Sequence, residues 1–468
     1  MSADERHFVG VDVGGTKILA LVVTAAGGVL AREKSATAHD GTPMAEQIGA
    51  AIDMVIESAG LTIEQIAGIG VAMPGSVDSS TGYLGTVPNI EIDDYKLVDS
   101  LRERYPVVVE VGNDVNLGTL AECWLGAGRG AQTVVGMFVG TGIGGGVVID
   151  GRLRTGSEDL AGEIGHMVMQ LDGPECGCGN LGCFEALASR TAMEKAIRDG
   201  LAAGRESTIT RYAGADRIKS GALEDALVDG DELVTEVMTQ AAHILAQGVL
   251  TLRHVLDPDM VIMGGGVIEA CAEFMMPLIE AEVRASCMKG SRDTLQLAVS
   301  ELEDDAVALG AAALVEAAIS DLPVYEMQAA AAESEAAPED GVEEFEPVDY
   351  PLIDALEFGS VTVADEALPH DVHIRADGSV KKRKKKWARK DYGTSHVIGP
   401  RELKKTLKQA PELLIIGSGF DEMVRLADEG RALLEERGVR WELLPTPRAI
   451  EAWNEADGRR ALLLHVTC

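Results

Sequence analysis

The sequence predicts an α/β protein made of two related halves, followed by a smaller α/β domain. Each half opens with two apolar strands around a glycine turn, "FVGVDVGGTKILALVV" at 8–23 and "TVVGMFVGTGIGGGVVIDG" at 133–151. This repeated opening indicates two similar α/β halves with a cleft between them. Residues 331–349 hold eight acidic residues and no basic one, so a solvated linker is expected before the last domain.

The segments between these landmarks alternate between helical and strand patterns. A helix is predicted near 44–59, buried strands at "IAGIGVAMPG" and "PVVVEVGND", and a further helix at "VNLGTLAECWLGA". Beyond the linker, "PELLIIGSGF", "VRWELLP" and "RRALLLHV" predict strands with helical stretches between them. The tail from 350 to 468 should therefore form a separate small α/β domain.

Composition narrows the class of protein. The chain of 468 residues exceeds one ordinary core, and its N-terminus "MSADERHFVGVD" lacks the features of a signal peptide. With no long apolar run either, we expect a cytoplasmic protein without a membrane partner. The net charge of −35 argues against nucleic acid as a partner. Seven cysteines, an odd number with three clustered, fit a reduced compartment and a metal site.

Three glycine-rich loops, each at a strand end, indicate nucleotide binding. Tight glycine turns bring backbone N–H groups close to an anion, although each loop alone could be a simple hairpin turn. Asp12 could hold Mg²⁺ beside the phosphates. No Walker loop occurs. The loop residues expected at the nucleotide are Gly14, Gly15, Thr16, Lys17, Gly140, Thr141, Gly142, Gly264, Gly265 and Gly266.

Polar residues at further segment ends could serve a sugar substrate. In "VGNDVN", the Asp114 carboxylate after Asn113 could accept the proton of a hydroxyl that attacks a phosphoryl group. The alternative is that Asp114 only caps the helix beginning near Val115. Glu163 and Glu185 could hydrogen-bond a polyol, or could simply be solvated surface residues.

One histidine and three cysteines lie within "HMVMQLDGPECGCGNLGC". Thiolates and an imidazole suit tetrahedral Zn²⁺, and four protein ligands leave no open position for catalysis. A structural zinc site is therefore predicted, with unliganded buried thiols as the alternative. Its ligands are His166, Cys176, Cys178 and Cys183.

Taken in order, "DVGGTK", "VGNDVN", "GTGIGGG", "LAGEIGH" and "CGCGNLGCFEALAS" resemble the ROK family of repressors and sugar kinases, and within it the bacterial glucokinases. The resemblance implies an actin-like, hexokinase-type fold in which two domains close over sugar and ATP. It implies Asp114 as the base that activates the sugar 6-hydroxyl. The sugar-binding positions that it implies are Asn89, Asn113, Asp114, Glu163, His166 and Glu185.

The resemblance also implies a division of the chain and a set of cofactors. We expect an N-terminal domain at 1–115 completed by a returning helix at 305–320, a second domain at 116–304, a linker at 321–349 and the tail. ATP, Mg²⁺ and Zn²⁺ are the implied cofactors, although the sequence leaves ATP or polyphosphate open as the donor. A homodimer or homotetramer is expected.

Other functions stay open within the same resemblance. Only eleven residues precede Asp12, too few for the helix-turn-helix of the family's repressors, so a kinase is favoured. Glucose is the favoured sugar, with another hexose or N-acetylmannosamine as the alternative. A sugar-sensing or assembly protein without catalysis is the remaining alternative.

The tail resembles a different family. "DVHIRADGSV", "LLIIGSGF" and "LLLHVTC" are similar to the family of the mitochondrial complex I assembly factor 3, which says little about chemistry. Gly417 and Gly419 resemble the start of a dinucleotide loop, but Glu422 replaces the third glycine. The run "KKRKKKWARK" is expected to be a solvated strand edge.

Overall fold

The computed structural model separates the chain into two compact units, Met1–Glu339 and Asp340–Cys468. Within the part of the chain described below, no helix is long and apolar enough to cross a membrane. The structure describes residues 6–75, 77–78, 81, 83–84, 95–214, 217–286, 288, 294–324, 326–327, 350–364, 366–383, 394, 396–407, 411–419, 423–456 and 458–466.

The first unit begins with a five-stranded sheet, here called the first sheet, in the order β3-β2-β1-β4-β8. Strands β1, β2 and β3 are antiparallel neighbours, whereas β4 runs parallel to both β1 and β8. Its strands are β1 His7–Val13, β2 Lys17–Thr24, β3 Val29–Ala36, β4 Ile66–Met73 and β8 Val108–Asn113. Three two-residue strands, β5 Val77–Asp78, β6 Tyr83–Leu84 and β7 Tyr95–Lys96, form a small separate sheet.

A second five-stranded sheet repeats this arrangement in the order β11-β10-β9-β12-β13. Again the first three strands of the lobe are antiparallel neighbours and the last two are parallel to β9 or to each other. The prediction of two related halves is thereby confirmed. The strands are β9 Val134–Val139, β10 Ile143–Ile149, β11 Arg152–Leu153, β12 Met260–Gly264 and β13 Gln296–Val299.

Helices cover both faces of each sheet. On the outer face of the first sheet, Val9, Val11 and Val13 pack with α1 and α2, as period-two alternation requires. Helices α5 to α8 cover the outer face of the second sheet. The helices with described bounds in this unit are α1 Met44–Ser58, α2 Leu97–Arg104, α3 Asp114–Leu125, α4 Phe184–Ala188, α5 Arg190–Ala202, α6 Ser220–Val228, α7 Glu232–Leu256, α8 Gly265–Ser286 and α9 Ala306–Ser320.

Helices α3 and α9 lie between the two inner sheet faces and form one apolar core with them. Helix α9 is rich in alanine, and it crosses the first sheet where the strands lack side chains. A Cβ atom on Gly10 would overlap the carbonyl oxygen of Ala308, and one on Gly70 would overlap that of Ala311. The helix backbone therefore rests directly on the strand backbones, which only glycine permits.

A buried carboxylate joins the chain segment that leaves α3 to the segment that enters α9. Glu122, in the last turn of α3, is fully buried. Its Oε2 accepts the N–H of Ala127 at 2.9 Å, and its Oε1 accepts those of Glu301 at 2.9 Å and Leu302 at 3.0 Å. Burial raises the pKa of Glu122, whereas these backbone donors lower it. The side chain thus ties the segment leaving α3 to the segment entering α9.

The second unit contains a five-stranded sheet in the order β18-β17-β23-β20-β22, with β22, β20 and β23 parallel. Helices lie between its parallel strands, as predicted for the tail. Two smaller sheets, β14-β15-β16 and β19-β21, complete it. The elements are β14 Ile353–Glu357, β15 Ser360–Val363, β16 Glu366–Leu368, β17 Val372–Ile374, β18 Val380–Lys382, β19 Val397–Ile398, α10 Pro400–Thr406, β20 Leu413–Gly417, β21 Arg425–Leu426, α11 Asp428–Glu436, β22 Arg440–Leu444, α12 Thr446–Glu455 and β23 Arg460–Leu464.

The basic run of the tail is only partly a solvated edge. Lys381 and Lys382 are exposed on the edge strand β18, but the next residue, Arg383, is buried. Its guanidinium donates to Asp371 at 3.3 Å and to Glu402 at 2.6 and 3.2 Å. Arg383 is therefore a core ion-pair residue, and the remainder of the run, 384–390, lies outside the described residues.

The glycine loop of the tail is closed by its own neighbours. The N–H of Gly419 donates to the Thr446 hydroxyl at 2.9 Å, and that of Ser418 donates to the Leu444 carbonyl at 2.8 Å. A phosphate cradle needs such N–H groups directed at the ligand. These two are used within the fold, which disfavours dinucleotide binding at this loop.

Gly70→Ala should destabilise the first unit, because the added methyl group meets the α9 backbone. Overpacking of this kind costs about 1–3 kcal/mol. Calorimetry should show a lower midpoint of thermal unfolding. Gly221→Ala is the matched control, because a Cβ at Gly221 meets open space in α6. Equal midpoints for the two variants would contradict the close helix–sheet contact.

Candidate active site

The three glycine loops, together with Asp12, Asn113 and Asp114, lie at the carboxyl ends of parallel strands. In the first sheet, β1, β4 and β8 end together, and Met73 pairs with Asn113 where the last two strands stop. In the second sheet, β9 and β12 end beside each other, with Gly264 opposite Phe138. Ligands of open α/β sheets bind outside such strand ends. Both edges belong to the first unit.

Asn113 caps helix α3 and so removes that task from Asp114. The Asn113 Oδ1 accepts the N–H groups of Val115 at 3.0 Å and Asn116 at 3.1 Å, and its Nδ2 donates to the Gly75 carbonyl at 3.1 Å. Asp114 is the first helical residue, and its Oδ1 accepts the Val115 N–H at 2.9 Å. The alternative in which Asp114 is the cap is wrong, because the helix begins one residue earlier.

Two carboxyl groups at this edge have raised pKa values. Burial raises the pKa of Asp114 to about 6, and the charge of Glu163 adds to the shift. Burial likewise raises the pKa of Asp12 to about 6, with Asp114 raising it further and Lys17 lowering it. Displaced pKa values of neighbouring acids, at the edge of a cleft, are typical of functional sites.

The first glycine loop is a tight hairpin turn between β1 and β2. The N–H of Gly14 donates to the Lys17 carbonyl at 2.8 Å, and the Gly14 carbonyl accepts the Thr37 hydroxyl at 2.6 Å. The side chain of Thr16 is exposed, and the Lys17 ammonium lies 3.6 Å from Asp304. The loop is therefore held by its backbone while its polar side chains reach solvent.

A pocket beside Asp114 is lined by both lobes of the first unit. Asn113 and Gly75 line it from the lobe of the first sheet. Thr155, Asp159 and Glu163 line it from the lobe of the second sheet. Its wall also includes Asn116, which is 7% exposed and whose Oδ1 is buried without a hydrogen-bond partner among the described residues. The pocket therefore brings together Asn113 and Glu163, two of the six predicted sugar-binding residues.

Four ligand atoms of the predicted metal cluster lie within 4.8 Å of one another. The sulfur atoms of Cys178 and Cys183 are 3.7 Å apart, and the Cys176 sulfur is 3.7 Å from the His166 Nδ1. Sulfur ligands at about 2.3 Å from a tetrahedral Zn²⁺ stand about 3.8 Å apart. The donor set and its spacing thus fit one tetrahedral ion.

His166 and Glu185 connect the cysteine cluster to other parts of the site. The second ring nitrogen of His166, Nε2, lies 3.8 Å from the Glu163 carboxylate, at the pocket. Glu185 follows the last cysteine, and its Oε1 is 3.8 Å from the Cys176 sulfur. Its Oε2 accepts the Ile143 N–H at 3.0 Å. Glu185 therefore links the cluster to the second glycine loop.

The second glycine loop is also held by residues that the sequence did not single out. The Gly140 carbonyl accepts the N–H of Arg190 at 3.0 Å, and the Thr141 carbonyl accepts the Thr191 hydroxyl at 2.7 Å. The buried Arg190 guanidinium donates to the Thr141 hydroxyl at 2.7 Å. Residues at the start of α5 thus fix this loop.

The third glycine loop forms the junction between β12 and α8. Gly265 has a φ of 81°, and a Cβ there would approach the Val139 backbone oxygen to 2.7 Å. Glycine is therefore required at this point. Helix α8 begins beside the second loop, and because its first two residues are glycines, no side chain of theirs covers its N-terminal N–H groups.

The structure thus places every predicted site residue except one. Asn89 lies outside the described residues. Asn116 and Arg190 are the notable residues that the sequence reading missed. Asn116 could have been found, since it lies in the first turn of the helix that was predicted to follow Asn113 and Asp114.

Comparison with known proteins identifies the family. Residues 8–318 match the ROK family, and residues 353–465 match a family described as "Protein of unknown function (DUF498/DUF598)". The glucokinase of Thermotoga maritima is 34% identical over 310 residues, which are 66% of this chain and 96% of that protein. The N-acetylglucosamine repressor of Escherichia coli O157:H7 is 30% identical over 58% of this chain and 65% of its own length.

Solved structures agree with the fold. A ROK family glucokinase from Streptomyces griseus, in complex with glucose and AMPPNP, has 31% identity and a TM-score of 0.57 over 66% of this chain and 98% of that one. The chain belongs to the ROK family. Its first unit has the actin-like, hexokinase-type fold expected from the sequence, and a separate DUF498 domain follows. The relatives support a sugar kinase.

Cys176→Ser should remove zinc from the purified protein, because a hydroxyl is a poor substitute for a thiolate ligand. Atomic emission should detect about one zinc ion per chain in the wild type and almost none in the variant. Cys271→Ser, at a buried thiol outside the cluster, is the control and should retain the metal. A wild-type protein that contains no zinc after expression in zinc-supplemented medium would refute the metal site.

Proposed function

We propose that the first unit is an ATP-dependent glucokinase that phosphorylates the 6-hydroxyl of glucose. The observation that carries the proposal is the Asp114 carboxyl group. It is half-buried at the start of α3, relieved of helix capping by Asn113, and adjacent to the pocket that Glu163 lines. The glucokinase relatives, and the neighbour with glucose and AMPPNP, support the choice of sugar and donor.

In the proposed reaction, Asp114 is the general base. The sugar oxygen attacks the γ-phosphorus of ATP, the bond from phosphorus to the ADP oxygen breaks, and the hydroxyl proton passes to the Asp114 carboxylate. A pKa of about 6 suits this role, because the group is ionised at pH 7 and still accepts a proton readily. Burial supplies this pKa by disfavouring the charged form.

Pocket residues would orient the sugar. Glu163 offers carboxylate oxygens to the hydroxyl groups. If the Nδ1 of His166 ligates the metal, its proton is on Nε2, which can then donate toward the pocket. The Asn113 Oδ1 is occupied by the helix backbone, so only its amide N–H groups could reach a ligand. Glu185 contributes chiefly by holding the Ile143 N–H.

The metals would have separate tasks. Zn²⁺ held by His166 and the three cysteines would be structural, because four protein ligands complete a tetrahedron. Asp12 would hold Mg²⁺, which supplies positive charge to the phosphates. The fit rests on the half-buried Asp12 carboxyl, whose ionisation is opposed by desolvation and by Asp114 and would be favoured by a cation.

A sugar-sensing role is the second candidate, supported by the repressor relative at 30% identity. A panel of glucose, other hexoses and N-acetylmannosamine in a coupled ADP-release assay separates the two. Rapid ADP release with glucose supports the proposal, and preference for another sugar changes only the substrate. Sugar binding in calorimetry without ADP release would support the sensor.

Asp114→Asn should lower kcat by about 10²- to 10⁴-fold, the usual contribution of a general base. Because the side chains are nearly isosteric, glucose affinity and the circular dichroism spectrum should change little. Asp150→Asn, in the turn between β10 and β11, is the control for loss of one carboxylate. Turnover at the wild-type rate by the Asp114 variant would refute the assignment of the base.

The pH profile of kcat/KM should fall as pH decreases through about 6, because the base must be ionised and the pKa of Asp114 is about 6. The charge of Glu163 raises this pKa. Glu163→Gln should therefore shift the acidic limb to lower pH, whatever it does to the maximum. Glu158→Gln, at an exposed position of the same segment, should leave the midpoint in place. An unshifted limb in the Glu163 variant would argue against Asp114 as the titrating group.

A further inference from the structure

Arg190, the first residue of α5, is a buried cation that the proposed reaction does not use. It is 4% exposed, and its Nη1 donates to the Ile218 carbonyl at 3.0 Å. The same nitrogen lies 3.7 Å from the Glu194 carboxylate, which is also bound by Arg198 at 2.6 Å. Arg190 therefore shares its counter-ion with a second arginine.

A further contact of Arg190 determines whether a hydroxyl group acts as an acceptor or a donor toward it. Its Nη2 lies 2.7 Å from the Thr141 Oγ1. A guanidinium has only donors, so the threonine oxygen must accept in this bond. The hydroxyl proton is then directed elsewhere. Thr141 itself is an exposed residue of the second glycine loop, so that proton is accessible to a ligand.

The backbone of the loop does not depend on this contact. Glu185 accepts the Ile143 N–H, and Thr191 donates its hydroxyl to the Thr141 carbonyl. The N–H of Arg190 donates to the Gly140 carbonyl, and it would remain after any non-proline substitution. The Arg190 guanidinium thus bonds to the side chain of Thr141, whereas the other bonds named here hold the backbone of the loop.

We propose that Arg190 is a positioning residue for phosphate recognition, which holds the Thr141 hydroxyl as a hydrogen-bond donor toward the triphosphate of the nucleotide. A phosphate oxygen is an acceptor only, so a hydroxyl whose proton is already directed outward suits it. The inference rests on the proposed kinase function. It adds a residue that acts through Thr141 and does not touch the nucleotide.

A double-mutant cycle tests the inference. The measured quantity is the affinity for Mg-ATP in titration calorimetry. Arg190→Met and Thr141→Val should each weaken binding by about 10- to 100-fold, as expected for loss of a hydrogen bond to a charged group. Because both changes remove the same interaction, the double variant should be no weaker than the weaker single variant. Multiplication of the two factors in the double variant would overturn the proposal, as would unchanged affinity in Arg190→Met.

Two controls separate positioning from general damage. Arg198→Met removes the neighbouring arginine from Glu194, so it should leave nucleotide affinity within about twofold. Glucose affinity and zinc content should stay at wild-type values in Arg190→Met. If that variant does not fold, Arg190→Lys replaces it in the cycle, since a lysine keeps the charge but lacks the planar fork that spans the three partners.

The outcomes distinguish this inference from the proposed function. Wild-type protein that binds Mg-ATP but phosphorylates no sugar would refute the kinase, while the cycle would still measure the role of Arg190. Wild-type protein that phosphorylates glucose, with independent effects of the two substitutions, would refute the positioning role alone. In Arg190→Met, a KM for ATP that rises while the KM for glucose is constant would support both the kinase function and the positioning role.

Discussion

The direct contact between the backbone of α9 and strands β1 and β4 sets the geometry on which the rest of the first unit depends. Gly10 and Gly70 allow the helix to approach so closely, and Gly310 lets α9 approach α3, since a Cβ there would overlap the Leu117 carbonyl. Both helices lie between the two sheets, and α3 meets the second sheet through side chains such as Val115 and Thr119. The Glu122 carboxylate then accepts three hydrogen bonds that join the segment after α3 to the segment before α9.

This geometry explains why the candidate site is assembled from both sheets. Helix α3 begins at Asp114, at the end of β8, and its other side packs against β9 and β10. The proposed base therefore stands on a helix that also packs against the lobe carrying the second and third glycine loops. The metal cluster is connected to the same lobe through Glu185 and His166. Small shifts of either lobe would change the distance from sugar to phosphate, to which phosphoryl transfer is sensitive.

Local patterns predicted the features whose cause is local. Apolar alternation and glycine turns gave both hairpins, and the spacing of His166, Cys176, Cys178 and Cys183 gave a compact donor set. The alternative in which Asp114 caps the helix arose because Asn113 and Asp114 are adjacent and are equally good caps by residue type. Arg190 and Arg383 were missed because the partners that bury them, Thr141 and Glu402, are set by tertiary packing. From sequence alone, an arginine reads as a solvated residue.

The position of α9 in the chain has a consequence for how the protein is made. The inner face of the first sheet is complete by Asn113, but its covering helix begins only at Ala306, after the whole second sheet. During synthesis, the N-terminal lobe therefore emerges with an open apolar face and cannot finish folding by itself. Domains that emerge first usually fold first. Here the first lobe must wait for the second, and a chain truncated before residue 306 would expose that face to aggregation.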